Sequence, residues 1–263
     1  MADLRVGFLG DGHLNGVLRN AVETTRPYRV IGSFGRDDDL PDAAEADVIV
    51  EAATPDAVRE RLPGVLAAGV DAIVLSVGAL ADPEIRDLLL TPPANPGRRG
   101  RLIACTGAIG GLDQVRALRT AGPLLTLSIE SRKLPRALVQ PWMTEDLRDV
   151  LRAGDTEIVV ADGLASEVAR LFPSSANVAA SLALAGDAWE FATARIVADP
   201  AATATRHEIH ATGAIGEVRT VVANTPSPGR PRSSAVVAWA ALRALDDYAR
   251  LRGAPAPPGP LFL

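Results

Sequence analysis

The chain is predicted to be α/β, with an N-terminal parallel sheet covered by helices and a second, α+β part built on a mainly antiparallel sheet. Three observations carry this reading. The first half alternates short, continuously apolar runs with helix-forming segments, the pattern of strands buried on both faces. The second half holds three strand-like runs in close succession, residues 193–198, 207–212 and 217–222, which suits antiparallel pairing. The 263 residues are also enough for one large α/β domain or two modest ones.

Composition narrows the class. Apolar residues make up 48% of the chain but aromatics only 4%, so the core is built mainly from Ala, Val, Leu and Ile. The net charge of −5, with no basic stripe interleaved with aromatics, argues against a nucleic-acid partner. Lys133 is the single lysine; all other basic residues among the 27 Lys plus Arg are arginine. Cys105 is the one cysteine, which excludes an internal disulfide and a cysteine-based zinc site. At the end of the apolar run Leu102-Ile103-Ala104, it reads as a small core residue rather than a nucleophile. No apolar run approaches the roughly 20 residues of a membrane helix, and Met1 leads directly into a strand without a signal segment. The expectation is a soluble, cytoplasmic protein without a membrane partner.

The first apolar run, residues 4–9, ends in Gly10-Asp11-Gly12 followed by His13, Leu14 and Asn15. This is the strand, tight turn and helix start of a dinucleotide-binding βαβ unit, a Rossmann-type arrangement. Gly10 permits the turn, Gly12 lets a pyrophosphate approach the backbone, and the helix start at His13 and Leu14 faces the phosphates. The third glycine of the fingerprint is replaced by Asn15, with Gly16 one step late.

The second strand, residues 28–34, ends in Gly35-Arg36 rather than in an acid. A small residue leaves room for a 2′-phosphate and the adjacent guanidinium can bind it, so NADP is favoured. NAD is the alternative if Asp37 turns back, and a solvated turn of Arg36 with Asp37-Asp38-Asp39 is the plainer reading.

Residues 47–53 and 71–76 are further buried parallel strands. Between them Thr54-Pro55 opens a helix with Val58, Leu62, Val65 and Leu66 on one face. The turns at Ala53-Thr54 and at Ser76 lie at carboxyl ends of strands, where ligands bind open α/β sheets. Residues 92–100 are expected as a surface loop, and 102–105 as the last strand of this part, followed by Thr106-Gly107-Ala108-Ile109-Gly110-Gly111-Leu112-Asp113.

In the second part, strands are expected at 124–129 and 156–160, flanking Ser131-Arg132-Lys133-Leu134-Pro135. Lys133 reads either as a ligand for a carboxylate or phosphate, or as a strand-end charge in solvent. A helix over 161–172 leads into FPSSANVAASLALAG (172–186), where Asn177 is expected to cap a helix of small apolar residues. Such a helix is either plain core or a close-approach surface for a flat ligand. His207 and His210 fall on opposite faces of their strand, which argues against a two-histidine metal site, and no metal is expected. A long amphipathic helix covers 235–251, and the Pro-rich stretch 253–263 reads as a loose tail.

Several of these segments together resemble the NAD(P)-dependent L-aspartate dehydrogenases. They are the FPSSANVAA turn with Ala198-Asp199-Pro200 and His207, the turns at Ala53-Thr54-Pro55 and Ser76-Val77-Gly78, and the Gly107–Asp113 turn. Arg132-Lys133-Leu134-Pro135 is similar to the family's Arg-Lys-Pro-Pro, and Arg232-Ser233-Ser234 to its Lys-Thr-Ser. Thr205 stands where the family usually has Asn. The resemblance implies interconversion of L-aspartate and iminosuccinate, hence oxaloacetate plus ammonia, with His207 as acid–base residue. It implies cofactor contact at Gly10, Gly12, His13, Leu14, Arg36, Ala53, Thr54, Ser76, Ala108 and Asn177. It implies that a small dicarboxylate amino acid is held by Lys133, Asn177, Arg232, Ser233 and Ser234. The expected division is a nucleotide-binding domain 1–113 completed by helix 233–252, and a substrate and dimerisation domain 114–232. A homodimer is expected through apolar residues Ile196, Ile209, Val218 and Val221 on the second sheet. Two alternatives stay open on the sequence: a divergent imine reductase or amino-acid dehydrogenase for another substrate, and a non-catalytic nucleotide-binding sensor.

Overall fold

A computed structural model describes residues 3–42, 44–91, 99–173, 176–227 and 230–260, with only the backbone at 230–232. The chain divides into two compact units, Met1–Gly107 with Val237–Leu263, and Ala108–Val236. The first crossing therefore comes after Gly107 rather than at residue 113.

The first unit is a parallel sheet in the order β2-β1-β3-β4-β5. Its elements are β1 (Leu4–Leu9), α1 (His13–Thr25), β2 (Tyr28–Phe34), β3 (Val48–Glu51), α2 (Pro55–Ala67), β4 (Asp71–Val74), α3 (Pro83–Leu90) and β5 (Leu102–Ala104). The continuous apolar runs become strands buried on both faces, as in β3 and β4. Thr54 caps α2 by accepting from the Ala57 N–H at 3.1 Å, with Pro55 as its first residue. Asp82 and Pro83 open α3 in the same way.

The last helix packs into this unit's core, placing Ala241, Leu242, Leu245, Tyr248 and Ala249 among Val6, Phe8, Val22 and Val48. Polar bonds fix its register. Asp246 accepts from the Arg26 guanidinium at 2.8–3.1 Å and from the Tyr28 hydroxyl at 2.7 Å, and the Tyr248 hydroxyl donates to Asp71 at 2.8 Å. The stretch after it is not a loose tail as far as it is described. Ala254 and Ala256 pack on the same core, and Arg250 and Arg243 donate to the carbonyls of Pro257 and Pro260, each at 2.8 Å. Proline and alanine with no helical period gave no sign of this docking.

The second unit contains α4 (Leu112–Ala121), β6 (Leu124–Lys133), α5 (Glu145–Ala153), β7 (Ile158–Leu164), α6 (Ala165–Leu171), α7 (Asn177–Gly186), β8 (Thr193–Ala198), β9 (Thr205–Gly213), β10 (Gly216–Asn224), β11 (Pro226–Ser227) and β12 (Arg230–Ser234). The closing helix is α8 (Val236–Leu251). The sheet order is β10-β9-β6-β8-β7, antiparallel except for the β6–β8 pair. Two expectations shift here. β6 runs on to Lys133, which pairs with Ala198 of β8 and is 5% exposed, so it ends the strand but is not a charge in solvent. The segment from 161 stays extended to Leu164, held by pairing with β8, before α6 begins.

Helices α4, α6 and α7 cover one face of this sheet. The small residues of α7 let it lie close; a Cβ at Gly186 would stand 2.5 Å from a methyl of Leu127. Period-two alternation sends Leu127, Ile129, Ser131 and Lys133 of β6 inward together with Thr205, His207, Ile209 and Ala211 of β9. Ile196 and Ile209 are each 1% exposed and belong to this covered face, so they cannot form the apolar contact expected of a dimer. The opposite face is charged instead. Arg132 bridges Glu130, Glu157 and Asp199 at 2.8–3.2 Å, with Arg195–Asp162 and Arg206–Glu208 beside it. Among the described residues no helix is long and apolar enough to cross a membrane.

Candidate active site

The carboxyl edge of the first sheet is built to leave backbone exposed. Gly10 sits at φ +104° and its N–H donates to Phe34 O at 2.9 Å; a Cβ there would lie 2.7 Å from that of Ala53. Gly10 is therefore required by conformation and by packing. Gly12 is different, because a Cβ there meets only Ala52 O at 3.8 Å. No other described residue comes within 4 Å of that position, and α1 starts at His13 without a side-chain cap. Open N–H groups beside open space fit a pyrophosphate. Asn15 explains the altered fingerprint. It is buried, and its amide donates to Leu9 O at 2.7 Å and Gly10 O at 2.8 Å, lashing the helix to the turn.

Two further residues organise this edge and were not singled out in the sequence. Glu51, at the end of β3, is fully buried. Its carboxylate accepts from Ala53 N at 2.8 Å, Ser76 Oγ at 2.7 Å, Ser76 N at 2.9 Å and Leu75 N at 3.2 Å. Burial pushes the carboxyl upward while these donors oppose the shift. The Ser76 hydroxyl is thus committed to Glu51, as the Thr54 hydroxyl is to the cap of α2, so the carboxylate fixes the shape of both turns. Arg61 of α2 clamps the loop after β2 through the carbonyls of Gly35, Arg36 and Asp38. The carboxylate that turns back is Asp38, which accepts from Gly35 N at 2.7 Å, rather than Asp37; the side chain of Arg36 is exposed.

In the second unit the inner sheet face carries polar side chains where an aliphatic core would be expected. Ser131, Lys133, Thr205, His207 and Asn224 are each 7% exposed or less. Ser131 pairs with His207 across the strands, and its Oγ lies 2.8 Å from His207 Nδ1. Burial and the charge of Lys133 push His207 down to about 3, so it is neutral near pH 7. Burial pushes Lys133 down to about 8. Of these two groups the lysine changes protonation closer to neutrality, not the histidine as the residue types alone suggested.

The turn before α4 is held from β10. Asn224 donates to Ala108 O at 2.7 Å, and Gly111, at φ +80°, leaves no room for a Cβ against Thr220. Asn177 lies at the first residue of α7, with Ala176 in the capping position, so it is not the cap expected. Ser233 and Ser234 end β12, Ser234 being buried. Arg232 lies outside the described side chains, as do Ser174 and Ser175 and most of the expected 92–100 loop. Cys105 is buried and its thiol is raised to about 11, as befits a core residue.

Residues 113–248 match the family model described as aspartate dehydrogenase, C-terminal, and residues 6–99 match that of the homoserine dehydrogenase NAD binding domain. An L-aspartate dehydrogenase of Methanosarcina mazei is 32% identical, the match covering 92% of this chain and 96% of the relative. One from Ralstonia nicotianae is 37% identical over 80% and 77% of the two chains. The crystal structure of aspartate dehydrogenase from Thermotoga maritima superposes with a TM-score of 0.71 at 23% identity, covering 98% of this chain and all of that one, which speaks for the fold.

Proposed function

Because the chain belongs to the aspartate dehydrogenase family, we propose that its buried Ser131–His207–Lys133 group is the place where it interconverts L-aspartate with iminosuccinate, hence with oxaloacetate and ammonia. It is an NAD(P)-dependent oxidoreductase. The observation that carries the site assignment is the burial of five polar side chains on one sheet face. Burying such groups costs a fold free energy that hydrogen bonds such as Ser131–His207 and Asn224–Ala108 offset rather than turn into a gain.

A bound nicotinamide supplies the hydride acceptor or donor, and the residues of this chain supply binding and proton handling. Open backbone at Gly12, His13 and Leu14 suits the pyrophosphate, the Gly10 turn leading into it, with the turns at Ala53-Thr54 and Ser76 beside it. Ala108, fixed by Asn224, and Asn177 are assigned to the cofactor's reactive end. Neutral His207 keeps one ring nitrogen on Ser131 and has the other for the water that adds to the imine. The substrate is assigned to Lys133, Arg232, Ser233, Ser234 and Asn177, its carboxylates to the last four. Turnover of oxaloacetate plus ammonia, measured against other keto acids and amines, tests the substrate; preference for another pair would refute aspartate.

The cofactor is proposed to be NADP, through exposed Arg36 at the end of β2. A charge-assisted bond to the 2′-phosphate contributes about 1.5–3 kcal/mol before screening. Asp11 and Asp38 lie close to Gly35 and oppose it. The expected net preference is about tenfold in kcat/KM, lost in Arg36→Ala with NAD turnover unchanged. Better use of NAD by the wild type, or equal loss for both cofactors, overturns the choice and makes Asp38 the residue to vary.

The proposed homodimer uses the charged outer face of the second sheet, where arginines and acids alternate. Light scattering should find a dimer at micromolar concentration that weakens as salt rises. A monomer in low salt is the contrary result.

A further inference from the structure

A chain that uses arginine for every other basic position keeps one lysine, and buries it. A guanidinium cannot give up its proton in a protein, whereas an ammonium can. Lys133 lies on the inner face of β6, two residues from Ser131, which bonds His207. His207 faces the lysine from β9 and is held neutral by its charge. The Asp199 carboxylate, beyond β8, is engaged by Arg132 and by the Ala201 N–H. Helix α7, which packs on β6, contains no titratable side chain, nor do the inward positions 218, 220, 222 and 224 of β10.

Resting on the aspartate dehydrogenase reading, we propose that Lys133 is a catalytic proton carrier, taking the proton of the substrate ammonium and leaving His207 to handle water. In the oxidative direction an N–H bond of the substrate ammonium breaks and one to Lys133 Nζ forms. The freed nitrogen lone pair closes the C=N bond as hydride leaves Cα, which is oxidised by two electrons while the bound nicotinamide is reduced. Water adds to that carbon, its proton passing to His207 and on to the amine nitrogen. The carbinolamine O–H proton then goes to His207 as the C–N bond breaks, and the ammonia collects it and departs as ammonium. Lys133 releases its proton to solvent, which balances the reaction. Its value near 8 in the unliganded protein suits this exchange.

The single lysine makes the test direct. Protein labelled with ¹³C at lysine Cε has one lysine side-chain resonance to titrate. The expected midpoint is near 8, moving upward when succinate, a non-reacting dicarboxylate, is added. With aspartate, Lys133→Arg should keep KM within about threefold, lower kcat by roughly 10²–10³-fold and abolish the limb near pH 8 in kcat/KM. Lys133→Met, which removes the proton-carrying group altogether, should be as slow. An active wild type whose lysine titrates at the ordinary value of about 10.4, or a Lys133→Arg variant with wild-type kcat and pH limb, overturns the proton carrier alone. A wild type that does not oxidise aspartate overturns the underlying reading as well.

Discussion

His207→Ala is expected to lower kcat by about 10²–10⁴-fold, the usual loss for an acid–base group, with cofactor affinity within about twofold of wild type. The ring is 2% exposed and oriented through Nδ1 by Ser131 at 2.8 Å, so alanine removes a positioned base and opens a cavity next to Lys133. Cofactor affinity is read from quenching or enhancement of reduced nicotinamide fluorescence, and kcat from initial rates in both directions. Near-normal turnover would remove the histidine from the mechanism. The substitution also has a pH signature in stability. Burial and Lys133 depress the folded-state value to about 3 from an ordinary 6.5, so between these values the unfolded chain binds more protons and stability falls as the pH drops through about 6.5. His207→Ala should lack that part of the acid sensitivity.

Glu51→Ala is expected to destabilise the protein by about 2–5 kcal/mol. Ala53 N, Ser76 N and Ser76 Oγ lose their acceptor in a fully buried position, while Leu75 N retains the backbone carbonyl of Glu51 at 3.0 Å. Each buried donor left unpaired costs about 1–3 kcal/mol, and the hydroxyl can rotate to find another partner. For a chain of this size the change corresponds to about 5–15 °C in melting midpoint. Cofactor binding should weaken too, because both turns that rest on the carboxylate lie on the ligand edge of the sheet. A thermal melt within 2 °C of wild type would show that these hydrogen bonds contribute little.

The parallel sheet was legible because each strand is a continuous apolar run and the helices between them announce their starts, with Thr54-Pro55 as the clearest case. The family was legible in Gly107–Asp113 and in the segment around Asn177, where residue type and spacing are both unusual. What could not be read was long-range pairing. Lys133 looks like a solvated charge until β8 is paired beside it and its side chain is turned to the covered face. Glu51 looks like an ordinary strand-end acid until the Ser76 turn, 25 residues on, donates into it. The inward set of the second sheet mixes Ile196 and Ile209 with His207 and Lys133, and only the cover of α4, α6 and α7 tells packed core from open surface. Ionisation was misjudged for the same reason, since it depends on burial that residue type does not disclose.

Both chain ends belong to the same unit, and the last helix fills its core through Leu242, Leu245 and Tyr248. On the ribosome this imposes a delay. Residues up to Gly107 emerge with Val6, Phe8 and Val22 lacking their partner, and the partner is made only after all of Ala108–Val236. At about 5–20 residues per second the wait is on the order of ten seconds. During that interval the nascent chain has an open apolar groove at its beginning while its middle can already fold. Order of completion thus runs against order of synthesis.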